Sequence, residues 1–393
     1  MQLILRDQFI WEFTRIGKIP AIYKSLCYND TNFANKACAT TNTANVISMT
    51  LFPTFLTPNL VNEENYQLKK INHRNFSGAG VAITNPESVE AFLSKNLKTQ
   101  IRKNLRRTIS RLEESFNISY VYYYGSITQE TFEFLLNHLK NLLEKRFGQK
   151  NMVNNFLSKW NNNVNGLFEL INKKKASLFV VYDEAKPISI SVNRHFENTM
   201  LFSECNGYDL DYSKFGLGHL DNYLLVKWCI ENKYSFLDLG NGVVEYKKRW
   251  CNVYYDFEYH VYYKKKSLSA KVIASIEVNK IKMKNLIKQY KVDAFFKSIK
   301  DAIKSPSAPS KQTNISFSVN VIDGLSTYDE TKLKKLNINL PETAPIRQPI
   351  YDYLYLNKIH IDNIIIYDVM DKLNTFLFQS PKETLEIILT HED

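Results

Sequence analysis

The order of apolar and polar positions predicts alternating strands and helices through the middle of the chain. Ile118 to Tyr124 reads as a strand with alternating aromatic residues, and Thr128 then caps a helix, because a threonine hydroxyl can accept a hydrogen bond from a free N–H of the first turn. The apolar face of that helix recurs at helical spacing, at Phe132, Leu135, Leu136, Leu139, Leu142 and Leu143. A second helix, from about Met152 to Lys173, completes this part of the pattern.

The next part of the pattern predicts more strands around one further helix. Ala176–Tyr182 and Ile188–His195 read as strands that a short hairpin-like turn joins. The stretch from Met200 to Trp250 adds a strand, a Gly-rich turn, a helix, another strand and a second Gly-containing turn. Tyr254–Tyr263 is a last, aromatic strand, so the predicted order is β-α-α-β-β-β-α-β.

A long basic helix is predicted upstream of these elements. Asn85-Pro86-Glu87 favours a helix start, with a capping residue, a proline at the first position and an acid in the first turn. One apolar stripe continues to Phe116 and comprises Val89, Leu93, Leu97, Ile101, Leu105, Ile109, Leu112 and Phe116. The other faces carry basic residues between positions 95 and 111. Two interpretations are open: the solvated face of a long arm, or a platform for an anionic acceptor or for the phosphates of a donor.

The two ends of the chain are less informative. Residues 1 to about 85 contain short apolar runs and Asn/Thr-rich loops without a motif. Between Lys264 and Lys304 there are twelve lysines, which indicates either a helical pair packed on the core or a contact with a membrane surface or nucleic acid. Residues 305–310 are a linker by composition, and residues 311–393 suggest no function.

Composition limits the class of protein. A chain of 393 residues with 44% hydrophobic residues can form two or three globular domains. The net charge of +11 favours anionic partners. Five cysteines without C-x-x-C spacing suggest neither a disulfide framework nor a zinc site, and no uncharged apolar stretch approaches ~20 residues. We therefore expect a cytoplasmic protein without a signal peptide, a membrane span or a metal.

The residues from Asp238 to Trp250 carry a resemblance to a known family. Asp238, Gly240, Gly242, Tyr246 and Lys247, followed by Trp250, match a strand that ends Asp-Leu-Gly-x-Gly and leads into Tyr-Lys-x-x-Trp. This pattern resembles the GNAT superfamily of acyltransferases, in particular the branch that groups CelD with the FemAB-like enzymes. The resemblance covers about Ala91 to Lys264.

The resemblance implies a fold and a division of the chain. The fold class is α/β (α+β), a mixed and mostly antiparallel central sheet flanked by helices, with a degenerate N-terminal half and a helical C-terminal extension. The predicted regions are 1–90 (degenerate or accessory), 91–266 (catalytic, with the basic helical arm), 267–304 (basic helical extension), 305–310 (linker) and 311–393 (a module of unknown role).

A donor site is expected around the Gly-rich turn. In the family that the chain resembles, this loop cradles the pyrophosphate of acetyl-CoA or another acyl-CoA, and a helix start favours an anion. The residues expected to bind this cofactor are Cys205, Asn206, Ser213, Lys214, Phe215, Gly216, Leu217, Gly218 and His219. A lone G-x-G before a helix is also compatible with a simple tight turn, and His219 with packing.

Acyl transfer also needs a base, an oxyanion site and an acid. Glu204, an acid in an otherwise apolar strand, is the candidate base, and the alternative is a structural carboxylate paired with a cation. The backbone N–H groups of Cys205 and Asn206 would polarise the thioester if the strands splay there, as they do in the family.

The segment from Asp238 to Trp250 supplies the other candidates. Tyr246 is the candidate acid, and Lys247 would neutralise charge; a role in the turn is the alternative for both. Asp238, Asn241, Gly242 and Trp250 are expected to bind substrate, although Trp250 fits the core as well.

The predicted activity is therefore N-acyl transfer from acetyl-CoA or a longer acyl-CoA to an amine: an amino sugar, an amino acid or a polyamine. Two alternatives are a FemAB-like transferase that uses aminoacyl-tRNA, and a non-catalytic binding protein with a decayed GNAT core. The basic segments 95–111 and 264–304 would then contact tRNA or an acidic membrane surface.

Overall fold

The structure, a computed structural model, describes residues 4–36, 44–84, 88–149, 152–242, 244–289, 315–325 and 327–391. The strands are β1 (Ile4–Gln8), β2 (Tyr23–Tyr28), β3 (Thr31–Ala34), β4 (Val46–Pro53), β5 (Thr57–Leu60), β6 (Tyr66–Ala82), β7 (Ile118–Tyr123), β8 (Ala176–Asp183), β9 (Lys186–Phe196), β10 (Met200–Tyr208), β11 (Phe236–Asn241), β12 (Val253–Lys264), β13 (Ile315–Ile322), β14 (Leu333–Leu336), β15 (Ile365–Val369), β16 (Thr375–Gln379) and β17 (Thr384–His391).

The α-helices are α1 (Val89–Asn96), α2 (Thr99–Ser115), α3 (Gln129–Gly148), α4 (Asn155–Ser158), α5 (Trp160–Val164), α6 (Leu167–Asn172), α7 (Leu217–Glu231), α8 (Glu245–Trp250), α9 (Leu268–Gln289) and α10 (Ala344–Asn357). A π-helical segment spans Trp11–Ile16, and a 3₁₀ segment spans Leu210–Phe215.

A nine-stranded sheet organises the molecule, in the order β1-β4-β12-β6-β11-β10-β9-β8-β7. Its pairs are antiparallel except β1 with β4 and β10 with β11. Helix α3 packs against β9 and β10, α7 against β9, β10 and β11, and α9 against β4, β6 and β12. The predicted fold class, a mixed and mostly antiparallel sheet flanked by helices, is confirmed.

The N-terminal strands belong to this same sheet. Strand β6 lies between β11 and β12, and β1 and β4 extend the sheet beyond β12. The aromatic core under this half is shared: Phe13 meets Phe202 at 5.8 Å between ring centroids, and Tyr23 meets Tyr262 at 5.9 Å. The first region expected from the sequence therefore has no core separate from that of residues 91–266.

The helix predicted from Asn85 to Phe116 is two helices, so its continuity was wrong. Leu97 and Lys98 have extended backbone between α1 and α2. Both helices contact α7 on either side of this break. The start expected at 85–87 lies outside the described residues, and Ser88 caps α1 by accepting a hydrogen bond from the N–H of Ala91 at 3.1 Å.

The single helix predicted from Met152 to Lys173 was also wrong, because α4, α5 and α6 replace it. Asn154 caps α4, and Gly166 adopts a left-handed backbone that starts α6. Buried Asn163 donates to the carbonyl of Phe156 at 2.7 Å. Asparagine favours caps and turns over helix interiors, which explains the interruptions.

The C-terminal residues form a second, antiparallel sheet, β13-β17-β16-β15-β14, with α10 beside it. Helix α10 contacts α2 and the 3₁₀ segment, so this module shares a core with the first one. The predicted linker at 305–310 lies outside the described residues. Helix α9 packs Ala270, Ala274 and Val278 onto the large sheet; its contact with a membrane or nucleic acid stays a prediction.

Phe215 joins the two modules, and we expect Phe215→Ala to lower the free energy of unfolding by about 3–5 kcal/mol. Its ring lies 5.3 Å from that of Phe116 and 5.2 Å from that of Tyr355, and only 1% of the residue is exposed. Denaturant titration measures the effect, with exposed Ser213→Ala as the control, which should change stability by less than about 0.5 kcal/mol. Equal midpoints for the two variants would contradict this role.

Candidate functional site

A cavity of about 680 Å³ opens where β10 and β11 separate, and we call it the β10–α7 cavity. The two strands pair in parallel only from Met200 with Phe236 to Phe202 with Asp238. Beyond that point β10 continues to Tyr208 beside β9, with a bulge between Ser203 and Cys205. The expected splay is therefore present.

The cavity brings together many of the residues predicted from the sequence. Those that line it are Glu204, Cys205, Asn206, Ser213, Gly216, Leu217, Gly218, His219 and Tyr246. The predicted residues outside its lining are Lys214, Phe215, Lys247, Asp238, Asn241, Gly242 and Trp250.

Glu204 is held in a double ion pair. Its Oε1 lies 3.0 Å from Nε of Arg15, and its Oε2 lies 3.0 Å from Nε of Arg194, a residue that is 2% exposed. Both carboxylate oxygens are therefore engaged by cations in this structure. The arrangement favours the alternative interpretation, a structural carboxylate; catalysis by Glu204 stays an untested prediction.

The Gly-rich turn has the geometry of an anion site. Gly216 adopts a left-handed backbone with φ of +61°, which turns the chain from the 3₁₀ segment into α7. The N–H groups of His219 and Leu220 donate to the carbonyl of Gly216 at 2.8 and 3.1 Å, so those of Leu217 and Gly218 are left to point at a ligand. The helix dipole favours negative charge there. The cavity reaches Gly216, Leu217 and Gly218, so a bound phosphate would meet this helix start.

Two residues of the predicted loop face away from the cavity. Lys214 Nζ lies 3.0 Å from a carboxylate oxygen of Asp352 on α10, and Phe215 lies in the shared core. Their expected contact with a cofactor does not fit this geometry, because tertiary packing with the C-terminal module takes both side chains. The spacing of the loop alone gave no sign of that module's position.

The Asp238 motif builds a turn next to the cavity. Lys247 Nζ donates to the carbonyls of Gly240 at 3.1 Å and Asn241 at 2.7 Å. Asp238 accepts from the N–H of Gly240 at 3.0 Å and from Tyr255 Oη at 2.7 Å. Burial raises the pKa of Asp238 to about 6. These contacts favour a role in the turn for Lys247. They also engage the carboxylate of Asp238 within the protein.

The remaining residues of that motif have different positions. Gly242 adopts φ of +84° and donates its N–H to Ser77. Trp250 is 2% exposed, and its Nε1 donates to Nδ1 of His219 at 3.0 Å. Burial, together with the charge of Arg249, lowers the pKa of His219, so this histidine is neutral with its proton on Nε2. His219 therefore offers one N–H donor beside the cavity.

Three polar side chains of the cavity were missed by the sequence reasoning. Asp221, Asn222 and Arg146 all line the cavity. Burial raises the pKa of Asp221 to about 7, opposed by a hydrogen bond with Ser191 and by the charge of Arg146. Asn222 is 6% exposed, and its side-chain nitrogen has no hydrogen-bond partner among the described residues.

Arg146 reaches the cavity from the last turn of α3. It donates to the backbone carbonyl of Asn206 at 2.8 Å, and its guanidinium lies 4.1 Å from the ring centroid of Tyr208. Gly207 permits this approach, because an added Cβ would lie 2.8 Å from Leu139 Cδ1 of α3. Two contacts thus fix a cation in the lining of the cavity.

A signal for two of these residues was present in the sequence. Asp221 and Asn222 lie between Leu220 and Leu224, two apolar positions of a helix that packs against three strands. Buried polar side chains of this kind need partners or a function. Arg146 had no such signal, since only the fold brings it near residues 60 positions away.

Other chemistry is limited in the part of the chain that the structure describes. Cys205 is buried, and burial strongly raises the pKa of its thiol, so it is not a thiolate nucleophile. Among the described residues, no group of three or more His, Cys, Asp or Glu side chains could hold a metal ion. Nor does any described helix have the length and hydropathy needed to cross a membrane.

Part of the chain matches a known protein family. Residues 99–248 match the model of a family described as an acetyltransferase (GNAT) domain. No curated protein sequence matches the chain. Similar solved structures include a conserved protein of unknown function from Bacteroides thetaiotaomicron (10% identity, 56% of this chain and 70% of that chain, TM-score 0.39), L-PGS from Bacillus licheniformis (13%, 58% and 71%, 0.33) and FemX (11%, 54% and 72%, 0.36).

Proposed function

We propose that the chain transfers an acyl group from acyl-CoA to an amine in the β10–α7 cavity. The match of residues 99–248 to the acetyltransferase (GNAT) domain family supports this proposal. The observation that carries this proposal is Asp221. A buried carboxyl group with a pKa of about 7 lines the same cavity as the Gly-rich turn and the splayed strands. Such a group accepts protons efficiently near neutral pH.

The donor would bind between the splayed strands and the start of α7. The N–H groups after Gly216 and the Nε2–H of His219 would hold its pyrophosphate. The acyl carbonyl would lie against the free edge of β10, where backbone N–H groups polarise it. Lys214 has no part in this arrangement, because it pairs with Asp352.

The reaction follows from the groups in the cavity. The acceptor ammonium gives one proton to the Asp221 carboxylate, and the free amine attacks the thioester carbonyl. A C–N bond forms, the C–S bond breaks, and the amide nitrogen loses its second proton to water. Tyr246 protonates the leaving thiolate and regains its proton from solvent. Burial raises the pKa of Tyr246, so the phenol carries that proton at neutral pH.

The proposed setting is the cytoplasm, where acyl-CoA is available, and an aminoacyl-tRNA donor is the alternative. The basic face of α1 and α2 supports that alternative, since Lys95, Lys98, Lys103 and Arg107 are exposed. Two other cations of this face are engaged: Arg106 pairs with Glu90, and Arg111 donates to the carbonyls of Tyr355 and Leu356. Either donor would deliver its acyl carbon to the same cavity.

Calorimetric titration with acetyl-CoA tests the donor. We expect saturable binding that Gly218→Glu weakens at least about tenfold, because a carboxylate at the helix start repels the pyrophosphate. Gly218→Ala is the matched control: its Cβ would lie 3.5 Å from the Tyr208 ring, an ordinary contact, so binding should persist.

Two results would count against acyl-CoA. One is the absence of binding heat with the wild-type chain; the other is equal affinity in the glutamate and alanine variants. Binding of aminoacyl-tRNA that falls steeply with salt, without binding of acetyl-CoA, would support the alternative donor.

A further inference from the structure

The outer face of α9 is an exposed apolar stripe. The helix packs its inner face onto the large sheet through Ala270, Ala274, Val278 and Ile281. Six other aliphatic side chains recur at helical spacing on the opposite side and are between 44% and 84% exposed: Leu268, Val272, Ile276, Met283, Leu286 and Ile287. A contiguous apolar surface of this kind marks a site of interaction. We call these six residues the α9 stripe.

Two polar contacts fix which face of α9 points outward. Glu277 accepts hydrogen bonds from Nε and Nη2 of Arg6 in β1, at 3.0 and 2.7 Å. Asn285 donates to the backbone carbonyl of Asn72 in β6 at 2.8 Å. The helix cannot roll to bury its stripe without breaking both contacts, so the folded chain keeps the stripe at its surface.

Lysine side chains border the stripe on both sides. At 3.6 residues per turn, Lys271 and Lys282 lie along one edge of the stripe, and Lys280 and Lys284 lie along the other. All four are exposed. Glu277 is the only acid in the sequence of α9, and it is buried on the side of the sheet. The outer face therefore combines aliphatic side chains with positive charge.

This combination fits the surface of an anionic lipid bilayer. Aliphatic side chains enter the boundary between headgroups and acyl chains, while lysines beside them reach the lipid phosphates. A nucleic acid would offer phosphates to the lysines but no apolar surface to the stripe. A second copy of the chain, packed stripe on stripe, would bring two sets of lysines together without an acid between them.

We propose that α9 lies on the surface of an anionic lipid bilayer, with its axis parallel to the membrane plane and its stripe among the headgroups. The helix has 22 residues and is therefore ~33 Å long, so the contact is extended. Binding is peripheral, because the large sheet covers the other face of α9. This inference is independent of the proposed function of the β10–α7 cavity.

Flotation of the full chain with lipid vesicles tests this proposal. Vesicles of phosphatidylglycerol and phosphatidylcholine in equal parts are compared with vesicles of phosphatidylcholine alone. We expect binding to the anionic vesicles to be at least about tenfold stronger, and to weaken as salt screens the lysines. Absence of flotation with anionic vesicles would overturn the proposal, and equal binding to both kinds of vesicle would overturn the requirement for an anionic surface.

A double variant, Ile276→Gln with Met283→Gln, removes apolar contact and keeps every charge. We expect it to weaken binding to the anionic vesicles about tenfold or more. Both residues are 63% exposed, so the midpoint of unfolding should change little. The matched control is Leu356→Gln with Met370→Gln, two residues outside α9 that are 63% and 60% exposed, and it should bind as the wild-type chain does. Equal losses in the two double variants would contradict the role of the stripe.

A lysine variant and a measurement of mass separate the other occupants. Lys282→Gln with Lys284→Gln should also weaken binding to anionic vesicles about tenfold or more. Loss in this variant, with unchanged binding in Ile276→Gln with Met283→Gln, would show a purely electrostatic contact and overturn the proposal. A dimer of the wild-type chain that Ile276→Gln with Met283→Gln dissociates, seen by sedimentation without any flotation, would identify a second copy as the occupant. If that variant does not fold, the two kinds of vesicle and the lysine variant decide.

Discussion

Asp221→Asn is expected to reduce acyl transfer by a factor of about 10²–10⁴ and to leave acetyl-CoA binding unchanged. Asparagine has nearly the same shape as aspartate but cannot take the proton of the acceptor ammonium. For the wild-type chain, kcat/KM should rise with pH around a midpoint near 7, because the pKa of Asp221 is about 7 and its ionised form is the active one. Steady-state rates between pH 5.5 and 8.5 measure both effects.

The same substitution should stabilise the fold at alkaline pH. The pKa of Asp221 is about 7 in the folded chain and 3.8 ordinarily, so between these values the folded state holds the proton more tightly. Its contribution to stability is therefore lost as pH rises from about 4 to 7. The full difference corresponds to about 4 kcal/mol, and Asp221→Asn removes it. Denaturant titrations should show little difference between the two chains near pH 4 and the largest difference at pH 8.

Glu231→Gln is the matched control for Asp221. It lies at the end of the same helix, with an exposed carboxylate 3.9 Å from Lys227. Exposed pairs of this kind contribute little, so rate and stability should both change little. Unchanged turnover in Asp221→Asn, or a flat pH profile of the wild-type chain, would exclude Asp221 as the base.

The fold could be predicted where local chemistry decides the structure. The alternating apolar positions of β7 to β10 fit strands because successive side chains face opposite sides of a sheet. Thr128 was identified as a helix cap, and it accepts from the N–H of Thr131 at 3.2 Å. The break at Leu97 was missed because Leu97 and Lys98 are neither glycine nor proline. Both helices contact α7, and the apolar stripe alone does not reveal this tertiary contact.

The site was harder to predict, because its chemistry depends on distant partners. The sequence placed Glu204 correctly in a buried strand, but its two cations come from Arg15 and Arg194. Arg15 belongs to the N-terminal π-helical segment, for which no motif was found. Conversely, Asp221 received no attention, since a lone acid on a helix is usually exposed. Asp221 is instead buried on α7, and this burial is a property of the folded chain.

Glu204→Gln is expected to lower the free energy of unfolding by about 3–5 kcal/mol. Glutamine keeps the shape but removes the charge, so Arg15 and Arg194 repel each other without a shared anion. Arg194 is 2% exposed, and its Nη2 donates to the carbonyl of Asn163 at 2.9 Å, so the side chain cannot turn to solvent without breaking that bond. Denaturant titration at low temperature measures the loss.

Two comparisons separate this structural role from catalysis. Glu197 lies in the turn between β9 and β10, on the same hairpin as Glu204, and its exposed carboxylate is 3.5 Å from Lys36. We expect Glu197→Gln to change the free energy of unfolding by less than about 0.5 kcal/mol. Arg15→Met in the Glu204→Gln background should restore part of the stability, since it removes one of the two unpaired cations. If Glu204 is structural, kcat/KM of the folded Glu204→Gln variant should depend on pH in the same way as kcat/KM of the wild-type chain. A stable variant that has lost the rise near pH 7 would instead identify Glu204 as the base and displace Asp221 from that role.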